Sequence, residues 1–247
     1  MNFDPFMDAV NDVQDIFASE NDFEQESKEV MRDFRSRGSN TNSYTPIATK
    51  YLTWKSADKC FNCYDTESKT TTTVNPDTEF IALTSTMSIL GSRSVGKRGT
   101  PSFHWTNIYS NEFKDSKNEK VTVREVDKYE DSTNVLLEGT YTDIKEQVKN
   151  SPDMYFNLYV YAMVRGTEDI VRFAFNKSSR DVGFDVTNRD NMNGKAFKLT
   201  GSEERQNGSV QYNVPVVNFV DISQAEDTRA IEITREIDEK INRKRGL

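Results

Sequence analysis

The stretch Met154–Ala162 alternates apolar side chains with tyrosines and an asparagine without a break. Side chains of a strand project to opposite faces in turn. Met154, Phe156, Leu158, Val160 and Ala162 therefore share one face, and Tyr155, Asn157, Tyr159 and Tyr161 share the other. A strand this long, apolar on one side and tyrosine-lined on the other, needs neighbours along both edges. The chain is thus bound to build a sheet around it.

Shorter β-like segments surround it. Residues 48–56, 60–65, 70–74, 79–84, 108–113, 120–126, 169–176, 195–200 and 209–221 are rich in β-branched and aromatic residues and are separated by polar turns. Gly166 marks the turn after Val164, and a Gly/Asn/Ser-rich stretch separates the last two segments. Residues 91–106 read as a long loop, broken by Gly91, Gly96, Gly99 and Pro101. One helix interrupts the strands at 139–150. Tyr141, Ile144 and Val148 recur at helical spacing, Thr142 is a candidate N-cap, and Ser151-Pro152 ends it. A closing helix at 225–244 carries Ala230, Ile233, Ile237 and Ile241 on one stripe. The expected fold is mainly β with α: an OB-like small barrel with one inserted helix and amphipathic helices at the termini. A β-sandwich with an inserted helix gives much the same string.

Charge is distributed unevenly. The chain carries 40 acids and 32 bases, a net charge of −8. Residues 1–33 hold ten of the acids and only Lys28 and Arg32 as bases, so 30 of each sign remain beyond them. The body is neutral and the excess is an arm. That arm places Phe3, Phe6, Val10, Val13 and Phe17 at helical spacing among the acids, which marks it as a partner-docking helix. Residues 36–43 read as a linker. The expected organisation is an arm and linker at 1–43, a β domain at 44–221 and a helix at 222–247. The apolar runs are far shorter than the ~20 residues of a spanning helix. The acidic N-terminus lacks the pattern of a secretory signal. A cytoplasmic protein is expected.

Motifs exclude more than they assign. Cys60 and Cys63 lie three apart in β-like text and so on opposite faces, which reads as two ordinary thiols. His104 is the single histidine, too few for a zinc site with that pair. Gly91 and Gly96-Lys97 mimic a phosphate loop, but Arg98 stands where Ser or Thr is required. No catalytic constellation appears, and no metal or cofactor is called for. Two features point to binding of a flexible polyanion. The row Tyr155, Tyr159 and Tyr161 offers flat rings for base stacking, although packing beneath a terminal helix is the competing fate of such tyrosines. The segment holding Arg93, Lys97, Arg98, Phe103 and Trp105 interleaves bases with rings and contains no acid, although a solvated loop would read the same way. Tyr51, Lys55, Lys59 and Arg172 are further candidates if one sheet face gathers them, while Trp54 is expected in the core.

The segments Pro46-Ile47-Ala48-Thr49-Lys50-Tyr51-Leu52-Thr53-Trp54-Lys55, Ile108-Tyr109-Ser110-Asn111-Glu112, Val121-Thr122-Val123-Arg124 and Gly139-Thr140-Tyr141-Thr142-Asp143-Ile144-Lys145 carry a resemblance. Over roughly residues 45–175 the chain resembles a family of single-stranded DNA-binding proteins of tailed phages of Bacteroidetes, including crAss-like phages. The resemblance implies an OB fold, sequence-independent binding of single strands, and a role in phage DNA replication or recombination inside the bacterial host. It assigns no site residues. In that setting the acidic arm is expected to recruit replication or recombination proteins and to compete with DNA for the protein's own basic face. The alternatives are a phage structural or assembly protein that self-associates through its termini, and a carboxylate-dependent nuclease.

Overall fold

The computed structural model describes residues 46–114 and 119–245. Among them eleven strands form one mixed sheet. In chain order these are β1 (Lys50–Lys55), β2 (Cys60–Asp65), β3 (Thr70–Thr73), β4 (Phe80–Val95), β5 (His104–Ser110), β6 (Lys120–Asp127) and β7 (Ser132–Thr140), then helix α1 (Tyr141–Lys149). After β8 (Met154–Val164) and β9 (Ile170–Asn176) come a turn of 3-10 helix, Lys177–Ser179, and the short helices α2 (Arg180–Val186) and α3 (Arg189–Met192). The hairpin β10 (Lys195–Asn207) and β11 (Val210–Asp221) and the long helix α4 (Gln224–Arg245) complete the unit.

The strand order is β3-β2-β1-β9-β8-β4-β5-β6-β7. β1 and β9 run parallel, and the other pairs are antiparallel. This overturns the small barrel: the path ends at β3 and β7, and no pairing joins those ends among the described residues. Three elements share the edge of β4 opposite β8. Phe197 of β10 pairs with Phe80, Phe113 with Met87, and β5 with Leu90 to Val95. With both edges of its longest strand occupied, the sheet runs outward in two directions.

Alternation along β8 is as expected, and it sorts the sheet into two faces. The first lines the larger core, where Phe61, Phe80, Phe173, Phe175 and Phe197 pack ring against ring at 4.9–5.8 Å. Trp54 belongs to it, as expected, with its indole N–H donated to the Asn213 carbonyl at 2.9 Å. The second face is covered along one strip by α4. There Ala230, Ile233, Ile237 and Ile241 bury Ile81, Leu83, Tyr161 and Met163. The stripe predicted for the closing helix is thus the packed one. A Ser223–Glu226 capping box starts α4, with Ser223 N–H to Glu226 at 2.8 Å and Glu226 N–H to the Ser223 hydroxyl at 3.3 Å. Arg165 clamps Glu226 to Glu79 at 2.6 Å each, and it holds the Glu226 carboxyl down at about 2.

Local readings need four corrections. α1 is capped by Thr140 rather than Thr142, through a reciprocal bond with Asp143. Strand β7 occupies Ser132–Thr140, where the polar text masked it. The Gly/Asn/Ser-rich stretch before Ser209 is the far end of the long β10–β11 ribbon. Finally, most of 91–106 is strand, and only 96–103 form a loop. Gly91 sits inside β4 because a Cβ there would lie 1.9 Å from the Asp153 carbonyl oxygen. Gly96 opens the loop at φ +83, with the Ser102 carbonyl oxygen 2.6 Å from where a Cβ would stand. The residues Phe3, Phe6, Val10, Val13 and Phe17, and the linker, lie outside the described residues.

Ile237 is buried between α4 and the sheet. Ile237→Ala is expected to cost about 2–4 kcal/mol through lost transfer energy and the cavity left behind. Urea unfolding should show this as a lower midpoint with an unchanged slope. An unchanged midpoint would mean α4 contributes no packing energy.

Candidate functional site

The second face is polar and aromatic wherever α4 does not cover it. Cross-strand register places Tyr64 beside Tyr51 and Tyr51 beside Arg172. Arg172 is beside Tyr161, Tyr159 beside Thr86, and Asn157 beside Ser88. On the far side of β4, Leu90 pairs with both Tyr155 and Tyr109, Ser94 with Trp105, and Tyr109 with Arg124. One surface therefore gathers six of the predicted residues: Tyr51, Arg172, Tyr155, Tyr159, Tyr161 and Trp105. Lys55, two residues on from Thr53 and four from Tyr51, shares their side of β1.

Arg172 organises this surface. Its guanidinium lies 4.6 Å from the Tyr51 ring centroid and 4.1 Å from that of Tyr159, a cation held between two rings. Its Nη1 donates to Glu112 at 3.0 Å. The other Glu112 oxygen accepts from the Thr86 hydroxyl at 2.9 Å and from the Tyr161 phenol at 3.5 Å. Burial works against the Arg172 charge. The Tyr159 oxygen and the Glu112 carboxylate outweigh it and hold the guanidinium above its ordinary pKa. Burial also raises the Tyr159 phenol, with Arg172 opposing. Lys177, at φ +43, sets its ammonium 5.1 Å over the Tyr155 ring.

The tyrosine row therefore divides. Tyr161 takes the competing fate named from sequence: it is buried beneath α4 rather than open for stacking. Tyr159 and Tyr155 are half-buried, and each already has a cation over its ring.

The basic-aromatic segment divides as well. Arg93 turns to the first face. There it pairs through Nε at 3.0 Å and through Nη2 with Glu125, a buried carboxylate that also accepts from Thr106. Lys97, Arg98 and Phe103 stand at the 96–103 tip, with the Phe103 ring edge-on to Trp105 at 6.2 Å. Trp105 is 48% exposed, unusual for a strand tryptophan. Lys59, at φ +54, sits in the β1–β2 turn away from the Arg172 cluster. Sequence reasoning did not single out Glu112, Thr86 or Ser88. The period-two signal was present in Thr86-Met87-Ser88-Ile89, but small polar residues on the outward positions hid it.

Cys60 and Cys63 are both reduced thiols. Their partners Lys55 and Leu52 belong to opposite faces, as their spacing required. Among the described residues no group of three His, Cys, Asp or Glu is placed to hold a metal ion. No helix among them is long and apolar enough to cross a membrane.

His104 is bound at both ring nitrogens. Nε2 lies 2.6 Å from Asp127 and Nδ1 3.1 Å from the Ser102 carbonyl oxygen. Only the imidazolium can donate at both positions. The Asp127 hydrogen bond accordingly raises the His104 pKa, and His104 lowers that of Asp127. A raised histidine contributes stability that is full below its unfolded pKa and lost as pH climbs through the folded value. A lowered carboxyl contributes stability that is present above its unfolded pKa and lost as pH falls through the folded value. The melting-temperature gap between wild type and His104→Gln should be widest between about pH 4 and 6.5 and close on either side. A gap independent of pH would show that the pair does not titrate with folding.

No protein-family model matches this chain, and neither does any curated protein or solved structure.

Proposed function

We propose that this protein binds single-stranded DNA without sequence preference, through the second sheet face and the 96–103 tip. The carrying observation is the alignment of Trp105, Tyr109, Tyr155, Tyr159 and Tyr51 on one face, with Lys55, Arg124 and Lys177 among them and Arg172, paired with Glu112, holding Tyr51 and Tyr159 in place. A single strand offers flat bases and a regular array of phosphates. Rings take the first and cations the second, and neither reads sequence. The 96–103 loop adds Lys97 and Arg98, and the exposed Trp105 follows it in β5. A duplex hides its base faces and gains only the electrostatic part.

The setting of this reading is phage DNA replication and recombination in the cytoplasm of the bacterial host. It rests on the sequence resemblance alone and does not require a barrel. Within it, the arm with Phe3, Phe6, Val10, Val13 and Phe17 recruits replication or recombination proteins. The chemistry proposed is binding, with no catalytic step and no cofactor.

A second reading is an assembly protein. The β10–β11 ribbon favours it, since its far half from Gly201 to Gln211 is almost wholly exposed and, among the described residues, β11 pairs only with β10. Two-stranded ribbons are marginal alone in water. Contact with another copy would support this one.

Fluorescence anisotropy with labelled oligo-dT and an equal-length duplex, each at two salt concentrations, tests the proposal. Tight, salt-sensitive binding of the single strand and weak duplex binding are expected. Trp105→Ala should weaken oligo-dT binding by about 1–3 kcal/mol, the worth of one stacked base. Replacing Lys97 and Arg98 with Ala should flatten the salt slope by roughly 0.7 per lost phosphate contact. No binding at low salt, together with a concentration-dependent multimer in sedimentation, would move the assignment to the assembly protein.

A further inference from the structure

His104 stands where the 96–103 loop meets the sheet. It opens β5, and Val95 of β4 pairs with it. Its side chain and that of Asp127 are both largely withdrawn from solvent. Nε2 lies 2.6 Å from Asp127, the last residue of β6. The other oxygen of that carboxylate accepts the backbone N–H groups of Tyr129 and Glu130 at 2.9 and 3.2 Å, so Asp127 also fixes the β6–β7 turn. Nδ1 lies 3.1 Å from the Ser102 carbonyl oxygen, inside the loop. That oxygen also crowds Gly96 at the loop's other end, where a Cβ would stand 2.6 Å away. Within the loop, Thr100 N–H donates to the Lys97 carbonyl and Phe103 N–H to the Thr100 carbonyl, at 3.0 Å each. One imidazole thus joins a loop with bonds of its own to a fixed turn.

We infer that His104 is a proton-dependent latch on the 96–103 loop: the imidazolium holds Ser102 and Asp127 together, and the neutral ring keeps Asp127 and lets the loop go. A neutral imidazole has one N–H. The Asp127 carboxylate makes the stronger bond with it, and a lone pair at Nε2 would instead face that charge. The proton that stays is therefore the one on Nε2. Nδ1 then turns a lone pair on the Ser102 carbonyl oxygen, and two acceptors repel. The loop gives way because Asp127 is anchored by its turn. Neighbouring charges favour the closed state, since Asp127 and Glu130 both raise the ring's pKa. The turn also carries Lys128 and Asp131, and its Tyr129 ring lies 4.7 Å from the imidazole. On β4, Arg93 lies two residues along the same face and is paired with Glu125 of β6. The loop's own cations are Lys97 and Arg98. The consequence for binding rests on the single-strand reading above: Lys97, Arg98 and Phe103 move with the loop, so a single strand is held less tightly as pH rises and the latch opens.

His104 is the only histidine, so one imidazole signal reports it. The test is NMR of the full chain, isotope-labelled, from about pH 5 to about pH 9, on both sides of the histidine range. Oligo-dT anisotropy is followed over the same range at constant salt. Ring-nitrogen shifts should show both nitrogens protonated at the acid end and only Nε2 protonated at the alkaline end. The Ser102 carbonyl carbon and the Phe103 amide, which share one peptide unit, should shift along the same curve. Backbone relaxation should show 97–102 loosening with it while Tyr129 and Glu130 stay ordered. Oligo-dT binding by wild type should weaken roughly two- to ten-fold along that curve, the scale of one hydrogen bond, and binding by His104→Gln should be flat. A neutral ring protonated at Nδ1, or a loop equally ordered at both ends, overturns the latch whatever the protein binds. A latch that opens while wild-type affinity for oligo-dT stays constant overturns its control of binding and leaves the single-strand reading intact. Wild type that binds no oligo-dT at either end removes that reading and its regulation, and the ring-nitrogen shifts still decide the latch.

Discussion

Strand β4 must be covered on both faces, and the rest of the structure follows from that need. From Phe80 to Gly91 nearly every side chain is buried, whichever way it points. Ala82, Met87 and Ile89 enter the aromatic core, while Ile81 and Leu83 face the opposite way. A sheet with only one covered face would leave the second set in water. The Ile stripe of α4 meets this demand, and the Ser223–Glu226 box with the Arg165 clamp fixes where the helix begins. Alternation sends successive residues to different cores, and a register shift between Ala82 and Thr84 moves the aromatic-core positions from Phe80 and Ala82 to Met87 and Ile89.

Beyond α4 the same face changes character at one ion pair. Arg172 and Glu112 are both largely withdrawn from solvent, so neither is tolerable without the other. Each charge also recruits neutral groups: Tyr51 and Tyr159 around the guanidinium, Thr86 and Tyr161 around the carboxylate. Lys114, bound to Asp238 of α4 at 2.6 Å and to Thr84 at 3.2 Å, closes the helix side of the boundary. The ion pair thus separates an apolar strip that holds the fold from a polar, aromatic field where binding is proposed.

Much of the local structure was legible because it rests on local physics. Period-two alternation located β8, and the same rule separated Cys60 from Cys63. The Ile stripe of α4 was plain from its spacing. Tyr51, Tyr159 and Arg172 were nominated separately, and only parallel pairing of β1 with β9 made them one cluster. β4 was expected to end at Thr84, and Gly91 further on read as a breaker, although β4 runs to Val95 and the missing Cβ of Gly91 serves the approach of Asp153. Arg93 read as a free base because Glu125, its partner, is 32 residues away.

The sequence by itself determined where most segments extend or coil, β7 and the far part of β4 apart, which side of β8 is apolar, and that the charge excess lies in the arm. Those properties depend on side chains a few residues apart, so periodicity reports them. Only the tertiary structure decided that the sheet stays open, that α4 takes Tyr161 from the tyrosine row, and that Arg172 stands between two rings. Those outcomes depend on which strands pair. Pairing is decided by burial and hydrogen bonding between segments far apart in the chain, and alternation along one strand carries no information about its neighbour.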